Sequence, residues 1–270
     1  GGILNVNMNI HAVIVEKLSQ KRMMSGMHAL WSVGCFAGAG LFSILAKLGL
    51  GISQIAIIHC IIIFMIIFAF SRYFLPYKGA SNGKAIAIPK GIVTLFGVLA
   101  VISFLGEGGM MDWSGVFLTE AKGVDLSLAG VGYAVFSAAM LIGRLIGDKV
   151  VQKLGEQRVV IFGGIVASIG YIISIVFDNF FMMQFGFILL GFGAANIVPV
   201  VFTLLGRQKE MPINSAVTAV TSMGYLGVMF GPALLGFIAH GIGIVAVFCI
   251  LAGMFILQAI VSSYVFKVLN

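Results

Sequence analysis

Residues 52–74 read ISQIAIIHCIIIFMIIFAFSRYF, an apolar run in which Arg72 is the single charge and stands near the end. A transmembrane helix needs roughly 20 mostly apolar residues, whereas a soluble core helix manages with far fewer. Working outward, similar runs bounded by charge cover residues 1–15, 27–47, 91–119, 127–150, 157–177, 180–206, 213–240 and 243–267. Nine spans follow. In lipid every backbone polar group must be satisfied inside a helix or a closed barrel. Strands of a barrel would alternate polar with apolar over roughly ten residues, and these runs are continuous, which excludes it. The expected fold is all-α and polytopic, in keeping with a chain that is 60% hydrophobic and 9% charged.

Charge orients the spans. Of the 16 Lys and Arg residues, all but Lys47 and Lys122 fall on one side of this layout. The positive-inside bias places the loops 16–26, 75–90, 148–158 and 206–212 in the cytoplasm. The net charge of +7 is therefore a topology signal. Nucleic-acid binding is not expected, because the basic residues punctuate spans and form no patch with aromatics. Cys35, Cys60 and Cys249 lie in separate spans with no CxxC or Cys/His spacing, so neither a disulfide framework nor a metal site is expected. No phosphate-binding GxxxxGK loop, Ser/His/Asp set or HExxH pattern is present, so the chain reads as a non-enzyme without a cofactor.

Residues 75–90 carry Pro76, Gly79, Ser81, Asn82, Gly83 and Pro89 and read as a flexible connection between units over 1–74 and 91–270. The chain opens on Gly1-Gly2 and a short first span without a flanking segment, from which an N-terminally truncated sequence is expected. An internal repeat agrees. Gly2-Ile3-Leu4-Asn5 aligns with Gly193-Ala194-Ala195-Asn196, and Ser25, nine residues before Gly34, aligns with Ser215, nine before Gly224. If spans one to three repeat as seven to nine, the unit is six helices and three are missing before Gly1. Parallel six-helix repeats are a transporter plan.

Polar residues inside the apolar runs supply the functional candidates. Glu107 falls near mid-depth of the fourth span, with Asp112 further toward the outside. A carboxylate at the helix centre costs about 2.5–3.5 kcal/mol on insertion scales, and such residues face the bundle interior and mark proton, ion or substrate paths. Five residues apart on a regular helix, the two point about 140° from one another. A break at Gly108-Gly109 would bring both to one cavity. Alternatively Asp112 sits at the interface, with Trp113 as an aromatic anchor. Asn5 and Asn9, four apart, share a helix face and suit either a neutral polar solute or a neighbouring helix. Asn196 is the repeat-related partner of Asn5. Trp31, Trp113 and Tyr225 are aromatic candidates for stacking on a solute, with plain packing as the alternative.

Gly143-Arg144-Leu145-Ile146-Gly147-Asp148-Lys149 resembles the loop signature of the major facilitator superfamily. Lys153 and Arg158 form its basic tail, and Val150 stands where the signature has glycine. The spacing Gly224, Gly227, Gly231-Pro232 resembles that family's glycine-proline helix motif. Glu107-Gly108-Gly109-Met110-Met111-Asp112-Trp113-Ser114 and Asn5-Val6-Asn7-Met8-Asn9 resemble the branch of fucose:proton symporters and other sugar-porter-like bacterial proteins.

The resemblance covers the whole chain as helices four to twelve of twelve. It implies that 1–74 are the last three helices of one six-helix bundle and 91–270 the whole of the other. It also implies a multi-pass protein of the bacterial inner membrane, monomeric when complete, in contact with lipid, a small-molecule solute and protons. The implied function is secondary active transport of a small polar solute, sugars being the family-level expectation, by alternating access. Glu107 and Asp112 are then the proton-coupling candidates, and Asn5, Asn9, Trp31, Trp113, Asn196 and Tyr225 the solute contacts. Efflux by proton antiport and a non-transporting scaffold or receptor are the alternatives.

For gating, Gly143, Arg144, Asp148 and Lys149 can join neighbouring helix ends through charge-assisted contacts that break and reform. The competing reading is a solvated pair worth under about 1 kcal/mol. Gly231-Pro232 removes a backbone hydrogen bond and predicts a bend, and Pro199 gives the seventh span a similar weak point.

Overall fold

The structure, a computed structural model, describes residues 2–73 and 87–269. Ten α-helices follow in order: α1 Gly2–Ser19, α2 Met24–Lys47, α3 Ile52–Phe70, α4 Ile92–Val116, α5 Val131–Leu154, α6 Glu156–Val176, α7 Phe180–Ala194, α8 Ile197–Leu205, α9 Ile213–Ile242 and α10 Ile244–Leu269. Among the described residues there is no strand, and seven helical segments are long and apolar enough to cross a membrane. α1 is outside that set because Asn5, Asn7, Asn9 and His11 dilute its apolar character. Residues 75–86 of the expected linker lie outside the described residues.

The seventh span is two helices. Pro199 has no N–H, so the carbonyl of Ala195 loses its helical donor, and the chain turns at Ala195 and Asn196 before α8 resumes. The break expected at Gly108-Gly109 is absent, since α4 runs unbroken through it, and α9 is continuous through Gly231-Pro232, with Pro232 inside the helix. Neighbouring helices support glycine and proline inside membrane helices, so neither residue dictates a break. The irregular segment of this region comes later, as a π-helical turn over Phe117–Ala121. α1 also continues past the expected end of its span, placing Glu16 and Lys17 in helix instead of loop.

Glycine sets the closest approach. A Cβ on Gly170 would lie 2.5 Å from the carbonyl oxygen of Gly186, and one on Gly163 would lie 2.6 Å from that of Gly193. The reciprocal distances are 2.6 Å in both cases. These two pairs, one heptad apart, bring the antiparallel backbones of α6 and α7 into contact, as small residues do between membrane helices. On the other face of α6, Gly164 meets the Phe255 carbonyl of α10. Tyr171, fully buried, donates its hydroxyl to the Gly106 carbonyl of α4 at 3.0 Å. Against this core, α2 packs on α5 and α8, and α1 on α8 and α9. α3 packs on α2 and presents Ile57, Phe64 and Phe68 outward, as a lipid-facing helix can. A space remains between α1, α2, α4, α5 and α9.

Candidate functional site

That space is a cavity of about 590 Å³, and each helix gives it one face at helical spacing. α1 presents Asn5, Met8, Asn9 and Ala12; α2 presents His28, Trp31 and Ser32; α4 presents Phe104, Glu107, Gly108 and Met111. α5 contributes Tyr133, Ser137, Met140 and Arg144, and α9 contributes Tyr225. The volume lies within the range of about 300–1,000 Å³ that holds small ligands, and the walls are mostly apolar with a few polar groups.

Among the described residues two formal charges face the cavity, and they face each other. Arg144 Nη2 donates to Glu107 Oε1 at 3.2 Å and to Oε2 at 3.1 Å. The Arg144 side chain is 7% exposed and that of Glu107 21%. Arg144 Nε donates to the Ala195 carbonyl at 3.3 Å, the carbonyl that Pro199 leaves without a helical donor. The helix break thus supplies the acceptor that holds the guanidinium. Nη1 reaches Ser32 Oγ at 3.4 Å, joining α5 to α2. Breaking such a pair by removing one partner costs about 3–5 kcal/mol when the survivor stays buried.

His28 stands beside this pair on α2. Its Nδ1 lies 3.0 Å from the Met24 carbonyl, so in the neutral ring Nδ1 carries the proton and Nε2 is the acceptor. Its ring centroid is 5.7 Å from that of Phe202. Asn9 spends its amide N–H on Asn5, at 2.7 Å to Oδ1 and 3.1 Å to the backbone oxygen.

The structure brings Asn5, Asn9, Trp31, Glu107, Arg144 and Tyr225 together and sets other candidates apart. Asp112 is exposed and lines a separate space of about 410 Å³ with Thr119, Leu126 and Tyr133, as the unbroken helix requires. Trp113 packs against the core beside Gly236 instead of lining the cavity. Asn196 is buried, and its Nδ2 donates to the Gly143 carbonyl at 3.0 Å, so its repeat-related likeness to Asn5 does not extend to place. Arg144, read from sequence as part of a loop motif, is a cavity residue. His28, Ser32, Tyr133 and Ser137 escaped the sequence reading. Their signal was the four-residue spacing in His28-Ser32 and Tyr133-Ser137, which puts polar atoms on one face of an otherwise apolar helix.

The end of the molecule carrying the basic loops is held by carboxylates. Met23 and Met24 donate their N–H groups to Glu16 Oε2 at 2.9 and 2.8 Å, while Ser25 and Gly26 donate theirs to Asp148 at 3.0 and 2.9 Å. Four amides at the start of α2, which have no helical partner, are thereby shared between a carboxylate from α1 and one from α5. Glu16 also accepts from Thr203 Oγ on α8. A Cβ on Gly147 would collide with Asn196 Oδ1 and Ser25, so this crossing tolerates no side chain there. Glu156 pairs with Arg22 at 2.6 Å and with Arg207 at 2.9 Å. Glu210 accepts from the Ile92 N–H at 3.0 Å, capping α4. Lys149 is exposed and makes no ion pair among the described residues.

Residues 96–269 match the family model described as Major Facilitator Superfamily. The chain belongs to the major facilitator superfamily. It is 46% identical over 242 residues to an uncharacterized MFS-type transporter of Yersinia pestis, covering 88% of this chain and 62% of that protein. It is 26% identical over 249 residues to the membrane protein MosC of Rhizobium meliloti, covering 90% and 60%. The chain thus spans about three fifths of the length of these curated relatives. Among solved structures, it is similar in fold to the human organic anion transporter MFSD10, with a TM-score of 0.72 and 16% identity over 94% of this chain and 66% of that one. The Escherichia coli fucose:proton symporter FucP gives a TM-score of 0.63 at 16% identity, over 89% and 68%. The chain is therefore a multi-pass integral membrane protein of this superfamily.

Proposed function

We propose that the full-length protein is a secondary active transporter, moving a small polar solute across the bacterial inner membrane by alternating access and coupled to protons. The observation that carries this reading is the Glu107–Arg144 pair: opposite charges from α4 and α5 meet on the wall of a solute-sized cavity. Ionisable groups at such depth are costly and mark proton or substrate paths. A proton on Glu107 cancels its charge and loosens its hold on Arg144 Nη2, the kind of exchangeable contact a two-state carrier requires. Asn5 and Asn9 supply amide groups for a polar solute, and Trp31 and Tyr225 supply aromatic faces. Sugars are the solute class suggested by the sequence resemblance, and Asp112 is a second proton candidate in its own space.

The gate lies at the basic end, which the charge bias places in the cytoplasm. Opening the cavity there requires the start of α2 to leave Asp148 of α5, and Glu16, which moves with α2, to leave Thr203 of α8. Gly143 and Gly147 allow the close crossing that seals it, and Gly231-Pro232 gives α9 a second weak point. The helices of 1–74 rock against those of 91–270, with 75–90 as tether and a monomer as the working unit.

The test is uptake of sugars and other polar solutes into proteoliposomes holding the full-length protein, with and without an inward proton gradient, beside Glu107→Gln. Gradient-driven accumulation by the wild type, lost in the variant while solute exchange persists, is expected. Equal accumulation by both removes Glu107 from coupling, and no accumulation of any solute removes the transport reading.

A further inference from the structure

The charge balance of the cavity restricts what can enter it. Arg144 is permanently cationic, nine-tenths buried, and countered within the cavity by Glu107 alone among the described residues. Its guanidinium is only loosely held on the cavity side. The contacts of Nη2 with Glu107 are 3.1–3.2 Å and that of Nη1 with Ser32 is 3.4 Å, against about 2.7–2.9 Å for well-made bonds between guanidinium and carboxylate. Both Glu107 oxygens, moreover, sit on one nitrogen, so the two-nitrogen fork that suits a carboxylate is not filled. Nε is directed at the Ala195 carbonyl at 3.3 Å, so the Nη1–Nη2 edge is the one that meets the cavity residues Ser32 and Glu107.

With Glu107 ionised the pair is neutral. With Glu107 protonated, as the proposed function requires during coupling, the cavity holds an uncompensated buried cation. A neutral solute would leave it so, whereas a solute carrying one negative charge restores the balance. Resting on that proton reading, we infer that the solute is a small organic monocarboxylate whose carboxylate replaces Glu107 on the Nη1–Nη2 edge of Arg144. One proton and one anion then enter as a neutral pair. Phe104, Met8, Met111, Trp31 and Tyr225 line the rest of the cavity, which favours an organic body over an inorganic anion, and the Asn5 and Asn9 amides favour one bearing hydroxyls. A sugar acid or other hydroxy acid fits where a neutral sugar does not.

The ionisable groups around Glu107 are few. Arg144 and Tyr133 come from α5, His28 from α2 and Tyr225 from α9; α1 brings amides, α10 brings Leu251 and Phe255, and Asp112 of α4 faces another space. Among the described residues His28 is the histidine that lines this space, and a variant separates its contribution.

The experiment measures stabilisation of the purified full-length protein by gluconate, glucuronate, lactate and benzoate, each against its uncharged amide, across the neutral pH range. The acids are expected to stabilise the wild type and the amides not. Affinity should rise roughly tenfold for each unit of falling pH, as one linked proton requires. In Glu107→Gln the acids should bind at least as well and without pH dependence; in His28→Gln the dependence should persist. The double variant Glu107→Gln/Arg144→Gln, neutral at both positions and so protected against misfolding from an unpaired charge, should lose the preference for acids. Equal stabilisation by acids and amides, no stabilisation by any acid, or an acid preference kept in the double variant overturns the inference. Proton-driven uptake of a neutral sugar, lost in Glu107→Gln, would overturn it while leaving the proposed function standing. Acid binding without gradient-driven uptake would do the reverse.

Discussion

The cavity and the basic end use the same functional group differently. At the basic end, the carboxylates of Glu16 and Asp148 meet backbone amides of α2. In the cavity, the carboxylate of Glu107 meets a side-chain guanidinium. Backbone donors are fixed in the helix, so the first kind of contact is broken only by moving α2 as a body. A guanidinium can trade one carboxylate for another, so the second kind is broken by a proton or a competing ligand with no helix moving. In the proposed cycle one arrangement would serve as a latch and the other as an exchange site, since a carrier needs both to link ligand to motion.

The largest effect should come from unbalancing the exchange site. Arg144→Gln alone strands Glu107 and is expected to cost about 3–5 kcal/mol in detergent unfolding, while Glu107→Gln/Arg144→Gln recovers most of it. A double variant as unstable as the single would mean that the pair is not the source of the cost. At the latch, Asp148→Ala removes two charge-assisted bonds with a net worth of about 1.5–3 kcal/mol each. It should raise the labelling of a cysteine placed at Ser137 by a membrane-impermeant thiol reagent added on the basic side. Unchanged labelling would mean that this end is not held by Asp148.

Much of the cavity was legible in the sequence, and the failures have physical reasons. Glu107 stood out because a carboxylate in an apolar run has no other plausible place. Arg144 did not, because it lies 37 residues away and its neighbours Asp148 and Lys149 drew it into a loop motif. The break in the seventh span could be read from Pro199, since a missing N–H acts locally. That its freed carbonyl would hold Arg144 depends on how α5 crosses α7 and α8, which no local pattern states. The glycines after Glu107 suggested a break by their freedom, yet Gly109 packs against Leu251 and Leu235, and that packing keeps the helix whole.

Gly147→Ala sharpens the comparison at intermediate size. The new methyl would meet Asn196 and Ser25, so the latch should loosen and labelling at Ser137 should rise; adding Asn196→Ala should restore part of the closure. An additive loss in the pair would contradict the steric account. Ser32→Ala, removing a 3.4 Å contact, should shift stability by no more than about 0.5 kcal/mol. Smallest of all, Lys149→Gln should leave transport and stability unchanged, because that side chain is exposed and unpaired among the described residues.

The most direct measurement is the pH of the medium around lightly buffered proteoliposomes as solute enters down its own gradient. Wild type is predicted to draw a proton inward with each solute and make the medium alkaline, whereas Glu107→Gln should pass solute with no change in pH. An equal alkaline shift in the variant would contradict the account, since the coupling proton would then travel without Glu107.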